Sequence, residues 1–179
     1  MSRMRDDLRQ RVQAAVRDIP DFPAPGIVFK DITPVLADPG LMSEVLLEMT
    51  RPFLAERITH VVAIESRGFI FGMPIALQLG SAFVPARKPG KLPWKTAREA
   101  YVLEYREDVL EMHIDAVSEG ARVLIVDDVL ATGGTAAAAV RLSERLGGAV
   151  AGVTVLSELT FLHGRERLDG LRVHAVVEY

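Results

Sequence analysis

Residues 122–135 read Arg-Val-Leu-Ile-Val-Asp-Asp-Val-Leu-Ala-Thr-Gly-Gly-Thr. The run Val123-Leu124-Ile125-Val126 has the uninterrupted apolar character of a strand buried on both faces, as in a parallel sheet. It delivers two adjacent carboxylates, Asp127 and Asp128. A loop of small and hydroxyl-bearing residues follows, Ala131-Thr132-Gly133-Gly134-Thr135, and then an alanine-rich helix from Ala136 to Leu146. The first N–H groups of a helix lack intrahelical partners, and with no bulky side chains in the way they make a phosphate site. The two acids beside it suit sugar hydroxyls or a metal ion. One segment thus offers a grip for the phosphate and another for the sugar of a phosphorylated sugar.

Outward from this segment the pattern repeats. His60–Ile64 is a second buried strand, leading through Glu65-Ser66-Arg67-Gly68 into a helix that runs to Leu79 and is stopped by Gly80. Ala82–Ala86 is a third strand, and residues 149–157 and 171–178 supply two more. Strands alternating with helices predict an α/β fold, with a mostly parallel central sheet flanked by helices. Ligands in such folds bind beyond the carboxyl ends of the strands, where Glu65, Arg87 and Asp127 stand. Towards the N-terminus, Met4, Leu8 and Val12 predict an amphipathic helix over 3–18, broken by the stretch Asp21 to Gly26. A short extended run, Ile27-Val28-Phe29, comes next. Asp38 before Pro39 is a cap and first-turn pair for a helix reaching about Glu56. Residues 88–100 hold Pro89, Gly90 and Pro93, carry no apolar period, and predict a mobile loop. Tyr101–Tyr105 and Val109–Ile114 predict a hairpin turning around Arg106-Glu107-Asp108.

Composition narrows the function. The 179 residues suffice for one domain with a full core, and no repeat or linker divides them. There is no cysteine, which excludes disulfides and thiolate chemistry, and fits a cytoplasmic protein. No apolar run reaches the length of a membrane span, and Met1–Arg17 lacks a signal core. The net charge of −3 disfavours nucleic-acid binding while leaving room for a local anion site. His60, His113, His163 and His174 show no ligand spacing, so no protein-built metal cage is expected.

The loop after Asp128 is neither a Walker A loop nor a dinucleotide fingerprint. A serine-hydrolase elbow around Ser66 would need glycine at the position of Ile64. What the segment from Val123 to Thr135 does resemble is the phosphoribosyl-pyrophosphate signature of type I phosphoribosyltransferases, a Rossmann-like family. Further stretches resemble the adenine branch of that family: Phe22 to Pro34, Glu65 to Phe69, Arg87 to Pro93, Leu103 to Tyr105 and Gly164 to Leu168.

The resemblance implies transfer of a phosphoribosyl group from 5-phosphoribosyl-1-pyrophosphate to adenine, giving AMP and pyrophosphate. It also implies Mg²⁺ carried by substrate and water, and a homodimer. It implies one phosphoribosyltransferase domain over 1–179, with a base-binding hood at 1–35 and a flexible lid and hairpin at 88–113. By the same resemblance Ala131, Thr132, Gly133, Gly134 and Thr135 cradle the 5′-phosphate, and Asp127 and Asp128 accept the ribose hydroxyls. Ser66, Arg67 and Gly68 form the pyrophosphate loop, Arg67 through its fork of donors. Arg87, Lys88 and Lys91, with Lys95 and Arg98 beyond them, form a basic lid that excludes water. Glu104 is the catalytic acid/base, and Tyr105 orders the closed loop. Val28, Phe29 and Lys30 recognise adenine, the backbone of Val28 reading its edge and Phe29 with Val129 enclosing its faces.

Three positions depart from the family pattern. Lys30 stands where arginine is common, and Trp94 and Arg106 stand where glycine is common, which bears on lid kinetics. Two other functions stay open in the sequence. One is a transferase for hypoxanthine, guanine or xanthine, whose donor and acceptor pattern is reversed. The other is a phosphoribosyl-pyrophosphate-sensing regulator that binds DNA, disfavoured by the short N-terminal region and the acidic balance.

Overall fold

The computed structural model describes residues 2–102 and 107–179. Their backbone contacts divide into two compact units, Met1–Glu48 and Met49–Tyr179.

In the first unit, helix α1 (Ser2–Ala15) buries Leu8 and Val12, as its period predicts. It ends earlier than the predicted 3–18, because Arg17–Pro20 forms a strand, β1, antiparallel to β2 (Val28–Asp31). Charge pairs across the strands hold this ribbon together: Arg17 to Asp31 at 3.3 Å and Lys30 to Asp18 at 2.6 Å. A four-residue strand is too short for its period to show against the helix before it. The Asp21–Gly26 break closes on itself, the Gly26 N–H donating to Asp21 Oδ1 at 2.8 Å. A short helix, α2 (Thr33–Ala37), precedes α3 (Pro39–Thr50). Asp38 caps α3 as expected, Oδ1 accepting from the N–H groups of Gly40 and Leu41 at 2.9 and 3.0 Å. The helix expected to reach Glu56 gives way at Arg51–Phe53 to a 3₁₀ turn containing Pro52, which has no N–H to continue the ladder.

The second unit is built on a five-stranded parallel sheet. Its strands are β3 (His60–Ile64), β4 (Ala82–Ala86), β7 (Arg122–Leu130), β8 (Ala149–Glu158) and β9 (Val173–Glu178), in the order β4-β3-β7-β8-β9. Helix α4 (Gly68–Leu79) joins β3 to β4, and α5 (Gly134–Arg145) joins β7 to β8. Residues of one parity, Val62, Ile64, Val123 and Ile125, share a core with Ala136–Ala139 of α5. The other parity faces α4, where Gly72 meets Ala63 of β3 and Phe83 of β4. The two helices therefore cover opposite faces, as alternation along a strand requires. Gly80 ends α4 in the left-handed conformation at φ 62°, as the sequence predicts.

Residues 88–100, read from the sequence as loop, hold their irregular course only to Lys95. Thr96–Val102 forms β5, paired with β6 (Glu107–His113) from Thr96↔His113 to Val102↔Glu107. Arg141 and Arg145 of α5 hold Glu99 of β5 at 2.6 and 2.9 Å, which fixes the hairpin to the body of the unit. Those pairs join positions far apart in the chain, so no local period announces β5. Trp94, half exposed, sets its ring against His113 at 6.3 Å.

A Cβ at Gly72 would lie 2.4 Å from the Ala63 Cβ, so this helix–strand contact admits no side chain. Gly72→Val is expected to destabilise the fold by about 3 kcal/mol through overpacking. Urea unfolding checks it, and an unchanged midpoint would contradict the packing.

Candidate active site

The order in which the chain adds strands to the sheet reverses between the neighbours β3 and β7. From β3 the chain passes to β4 on one side, and from β7 to β8 on the other. Such a switch point leaves a crevice at the carboxyl ends of the two strands. A cavity of about 350 Å³ lies there. It is lined by Ile64, Glu65, Ser66 and Arg67 at the end of β3, by every residue from Asp127 to Ala136, and by Lys88 and Tyr101.

The loop from Ala131 to Thr135 is shaped by glycines. Gly133 adopts φ 78°, turning the chain so that α5 begins at Gly134, and its carbonyl accepts from the Ala137 N–H at 2.9 Å. A Cβ on Gly133 would lie 2.2 Å from the Gly164 oxygen, and one on Gly164 would lie 2.2 Å from the Ala131 oxygen. The loop is thus braced backbone to backbone by the 3₁₀ turn Gly164–Leu168. With the first turn of α5 lining the cavity, its N–H groups form the anion-attracting end of a helix.

The two acids differ in setting. Asp128 is buried and accepts from Arg67 Nε at 2.5 Å. Asp127 is half-buried, and its Oδ1 accepts the Asp128 N–H at 2.8 Å. Burial, and then the charge of Asp128, push the Asp127 carboxyl well above the usual aspartate range. Gly68 makes room for this pair, since a Cβ there would lie 2.9 Å from the Val126 oxygen and 3.0 Å from Asp127 Oδ1. The peptide between Glu65 and Ser66 is cis.

The cations gather on carboxylates. Arg87 reaches both oxygens of Glu65 at 3.3 Å and donates to the Lys91 carbonyl at 3.0 Å. Lys91 Nζ lies 2.7 Å from Glu65 Oε1, and the Lys88 N–H donates to Glu65 Oε2 at 3.0 Å. Lys88 Nζ is paired with Asp108. Burial pushes the Glu65 carboxyl up, but the hydrogen bonds from Lys91, Lys88 and Arg87 together outweigh it and hold it at about 2. Arg98 is taken by Glu111, at 2.7 Å, and does not line the cavity.

One cavity therefore brings together Ser66, Arg67, Lys88, Asp127, Asp128, Val129 and Ala131–Thr135. Arg87 and Lys91 join it through Glu65, and Gly68 stands behind the acids. Val28, Phe29 and Lys30 belong to the first unit. There Val28 is half exposed, Phe29 meets the Phe22 ring edge-on at 5.2 Å, and Lys30 pairs with Asp18. Glu104 and Tyr105 lie outside the described residues. The sequence reading assigned no role to Glu65, Tyr101 or Asp108. Glu65 had one visible signal, an acid at a strand end opposite a basic run. Tyr101 and Asp108 face each other only through the β5–β6 register. Among the described residues no group of three or more histidine, cysteine, aspartate or glutamate side chains is placed to hold a metal.

The model of the phosphoribosyl transferase domain family matches residues 41–169. The adenine phosphoribosyltransferase of Anaeromyxobacter dehalogenans is 55% identical over 168 residues, covering 94% of this chain and 98% of its own. That of Myxococcus xanthus is 56% identical, covering 94% and 91%. Among solved structures, the adenine phosphoribosyltransferase of Rhodothermus marinus superposes with a TM-score of 0.94 at 52% identity, covering 97% of this chain and 99% of its own. The Saccharomyces cerevisiae enzyme, crystallised with an imino-altritol bisphosphate and adenine, superposes at 0.89 with 39% identity, covering 96% and 99%.

Because the Asp127 carboxyl is raised, the folded chain holds that proton to higher pH than the unfolded one. Its contribution to stability therefore falls as pH rises above the unfolded value of about 3.9. Asp127→Asn keeps the oxygen that accepts the Asp128 N–H and removes the charge. Its melting temperature is expected to exceed wild type at pH 8 and to match it near pH 4. Calorimetry showing the same difference at both pH values would contradict the raised carboxyl.

Proposed function

The chain belongs to the phosphoribosyl transferase domain family, and from that premise we propose how its cavity transfers the 5-phosphoribosyl group of 5-phosphoribosyl-1-pyrophosphate to N9 of adenine, giving AMP and pyrophosphate, a purine-salvage reaction. One observation carries the residue assignments: a phosphate-binding helix start, an acid pair and a set of cations meet at a single switch-point cavity.

Ala131–Thr135 hold the 5′-phosphate, through backbone N–H groups and the Thr132 and Thr135 hydroxyls. Asp127 and Asp128 accept hydrogen bonds from the ribose hydroxyls. As the bond from C1′ to the pyrophosphate oxygen breaks, its electron pair leaves with pyrophosphate, and the N9–C1′ bond forms. Negative charge grows on the departing group and positive charge on the sugar. Arg67, Arg87, Lys88 and Lys91 stabilise the first. Ser66 and Gly68 place Arg67, and Glu104 removes the N9 proton, with Tyr105 ordering the segment around it. Val28, Phe29 and Lys30 recognise the base, with Val129 against its ring.

Mg²⁺ arrives with the substrate, whose pyrophosphate oxygens and bound waters are the hard ligands this ion takes. When bound, the ion neutralises pyrophosphate charge. We also propose a homodimer in the cytoplasm. Supporting these are an exposed apolar row on α4, Ile70, Met73 and Leu77, and the absence of cysteine. No described helix is long and apolar enough to cross a membrane.

A panel of adenine, hypoxanthine, guanine and xanthine with the pyrophosphate donor and Mg²⁺ tests the base. Adenine is expected to lead in kcat/KM by about 10⁴, the discrimination of a site built on hydrogen bonds. AMP formation failing altogether would overturn the reaction. Glu104→Ala is expected to lower kcat by about 10²–10⁴ with little change in the KM for the donor. Full activity in that variant removes the acid/base assignment alone.

A further inference from the structure

Each cation assigned to pyrophosphate is held by a carboxylate of the chain itself. Arg87 and Lys91 share Glu65, Lys88 pairs with Asp108, and Arg67 pairs with Asp128. Asp128 has a role in holding ribose, whereas Glu65 and Asp108 have none in the reaction. Their carboxylates are 9% and 14% exposed, while the cations they hold are 32–51% exposed. The anions are thus the buried halves of these pairs, and the cations are the halves open to a ligand. Drawing the side chains of Arg87, Lys88 and Lys91 towards another anion leaves Glu65 with the Lys88 N–H, and Asp108 with the Val109 N–H and the Tyr101 hydroxyl, but neither with an opposite charge, which is costly for an enclosed carboxylate. That cost subtracts from the affinity of any anion that recruits them.

We propose that Glu65 and Asp108 are positioning residues that compete with pyrophosphate for Arg87, Lys88 and Lys91, so that the cations return to them as pyrophosphate departs and the product is held loosely. The proposal rests on the reading of these cations as the pyrophosphate site. Geometry favours competition over mere anchoring, since Glu65 meets both side-chain cations and the Lys88 N–H at once, and Asp108 stands on β6 directly opposite the cavity-lining Tyr101. With Glu65 held at about 2, it stays ionised throughout the working range of pH.

The two roles predict opposite signs. Removing an anchor would scatter the cations and weaken pyrophosphate binding, whereas removing a competitor strengthens it. Titration calorimetry of inorganic pyrophosphate with Mg²⁺ into the full-length protein reads the sign. Glu65→Gln is expected to bind pyrophosphate about five- to tenfold more tightly than wild type, the scale of a partly exposed ion-pair network. Asp108→Asn is expected to shift binding in the same direction, and Glu65→Asp, which keeps the charge, to return towards wild type. Should Glu65→Gln not fold, Asp108→Asn decides. A wild type that binds pyrophosphate, with variants that bind it equally or more weakly, overturns the competition and leaves the site reading standing. A wild type that does not bind pyrophosphate overturns both.

Discussion

The parallel pairing of β3 with β7 is the constraint on which the site depends. Its register runs from His60↔Val123 to Ala63↔Val126, while β7 itself continues to Leu130. Asp127 and Asp128 therefore pass beyond the last rung shared with β3, level with the turn that carries Glu65 to Gly68. A one-residue slip would exchange the two faces of β7 and turn the apolar residues facing α5 towards α4. The apolar surface of Val123 and Ile125 against the alanines of α5 forbids that slip. The same register that fills the core therefore places the acids, and the missing side chain of Gly68 leaves room for Asp127 beside the start of α4.

Placing charges this closely divides carboxylates that begin chemically alike. Asp127 has a like charge next to it and few donors, so burial prevails and its carboxyl is pushed up. Glu65 is enclosed as well, yet three donors from the segment after β4 overcome the burial and keep it ionised. The two act oppositely on stability. The contribution of Glu65 is present above the unfolded value of about 4.3 and is lost as pH falls towards 2, while that of Asp127 weakens as pH rises. The one cavity thus holds a carboxyl raised by burial and by its neighbour and another kept charged by cations.

Much of this was legible in the chain. The buried runs at Val61–Ile64 and Val123–Val126, the cap at Asp38 and the stop at Gly80 are local signals, and the structure follows them. The strand–loop–helix segment from Arg122 to Arg145 was legible because apolar run, acids, glycines and alanines occur in order. The features that escaped the sequence reading are those made by contacts between distant positions. Strand β1 exists because Arg17 and Asp18 find partners in Asp31 and Lys30. Strand β5 extends into a basic, proline-bearing stretch because Glu99 meets two arginines of α5. Glu65 is an ordinary strand-end glutamate until the chain returns through β4 and sets Arg87, Lys88 and Lys91 around it. Gly68, placed by resemblance in the pyrophosphate loop, is required for a spatial reason: β7 passes too close for a Cβ.

The division of labour follows from how each part is held. The loop proposed to hold phosphate is shaped by backbone meeting backbone, at Gly133 against Gly164 and Gly164 against Ala131, so its geometry owes little to side chains. The acids and cations proposed to complete the grip on the donor lie in Met49–Tyr179, anchored to the parallel sheet and the segments that follow its strands. The residues proposed to choose the base, Val28, Phe29 and Lys30, lie in Met1–Glu48 on a two-stranded ribbon held by charge pairs. Substitutions in that ribbon can alter which base is accepted without disturbing β3, β7 or the loop between β7 and α5. On the proposed assignments, packed backbone fixes the segment that holds the phosphoribosyl donor and surface ion pairs fix the segment that chooses the acceptor, so the acceptor segment is the freer of the two to vary.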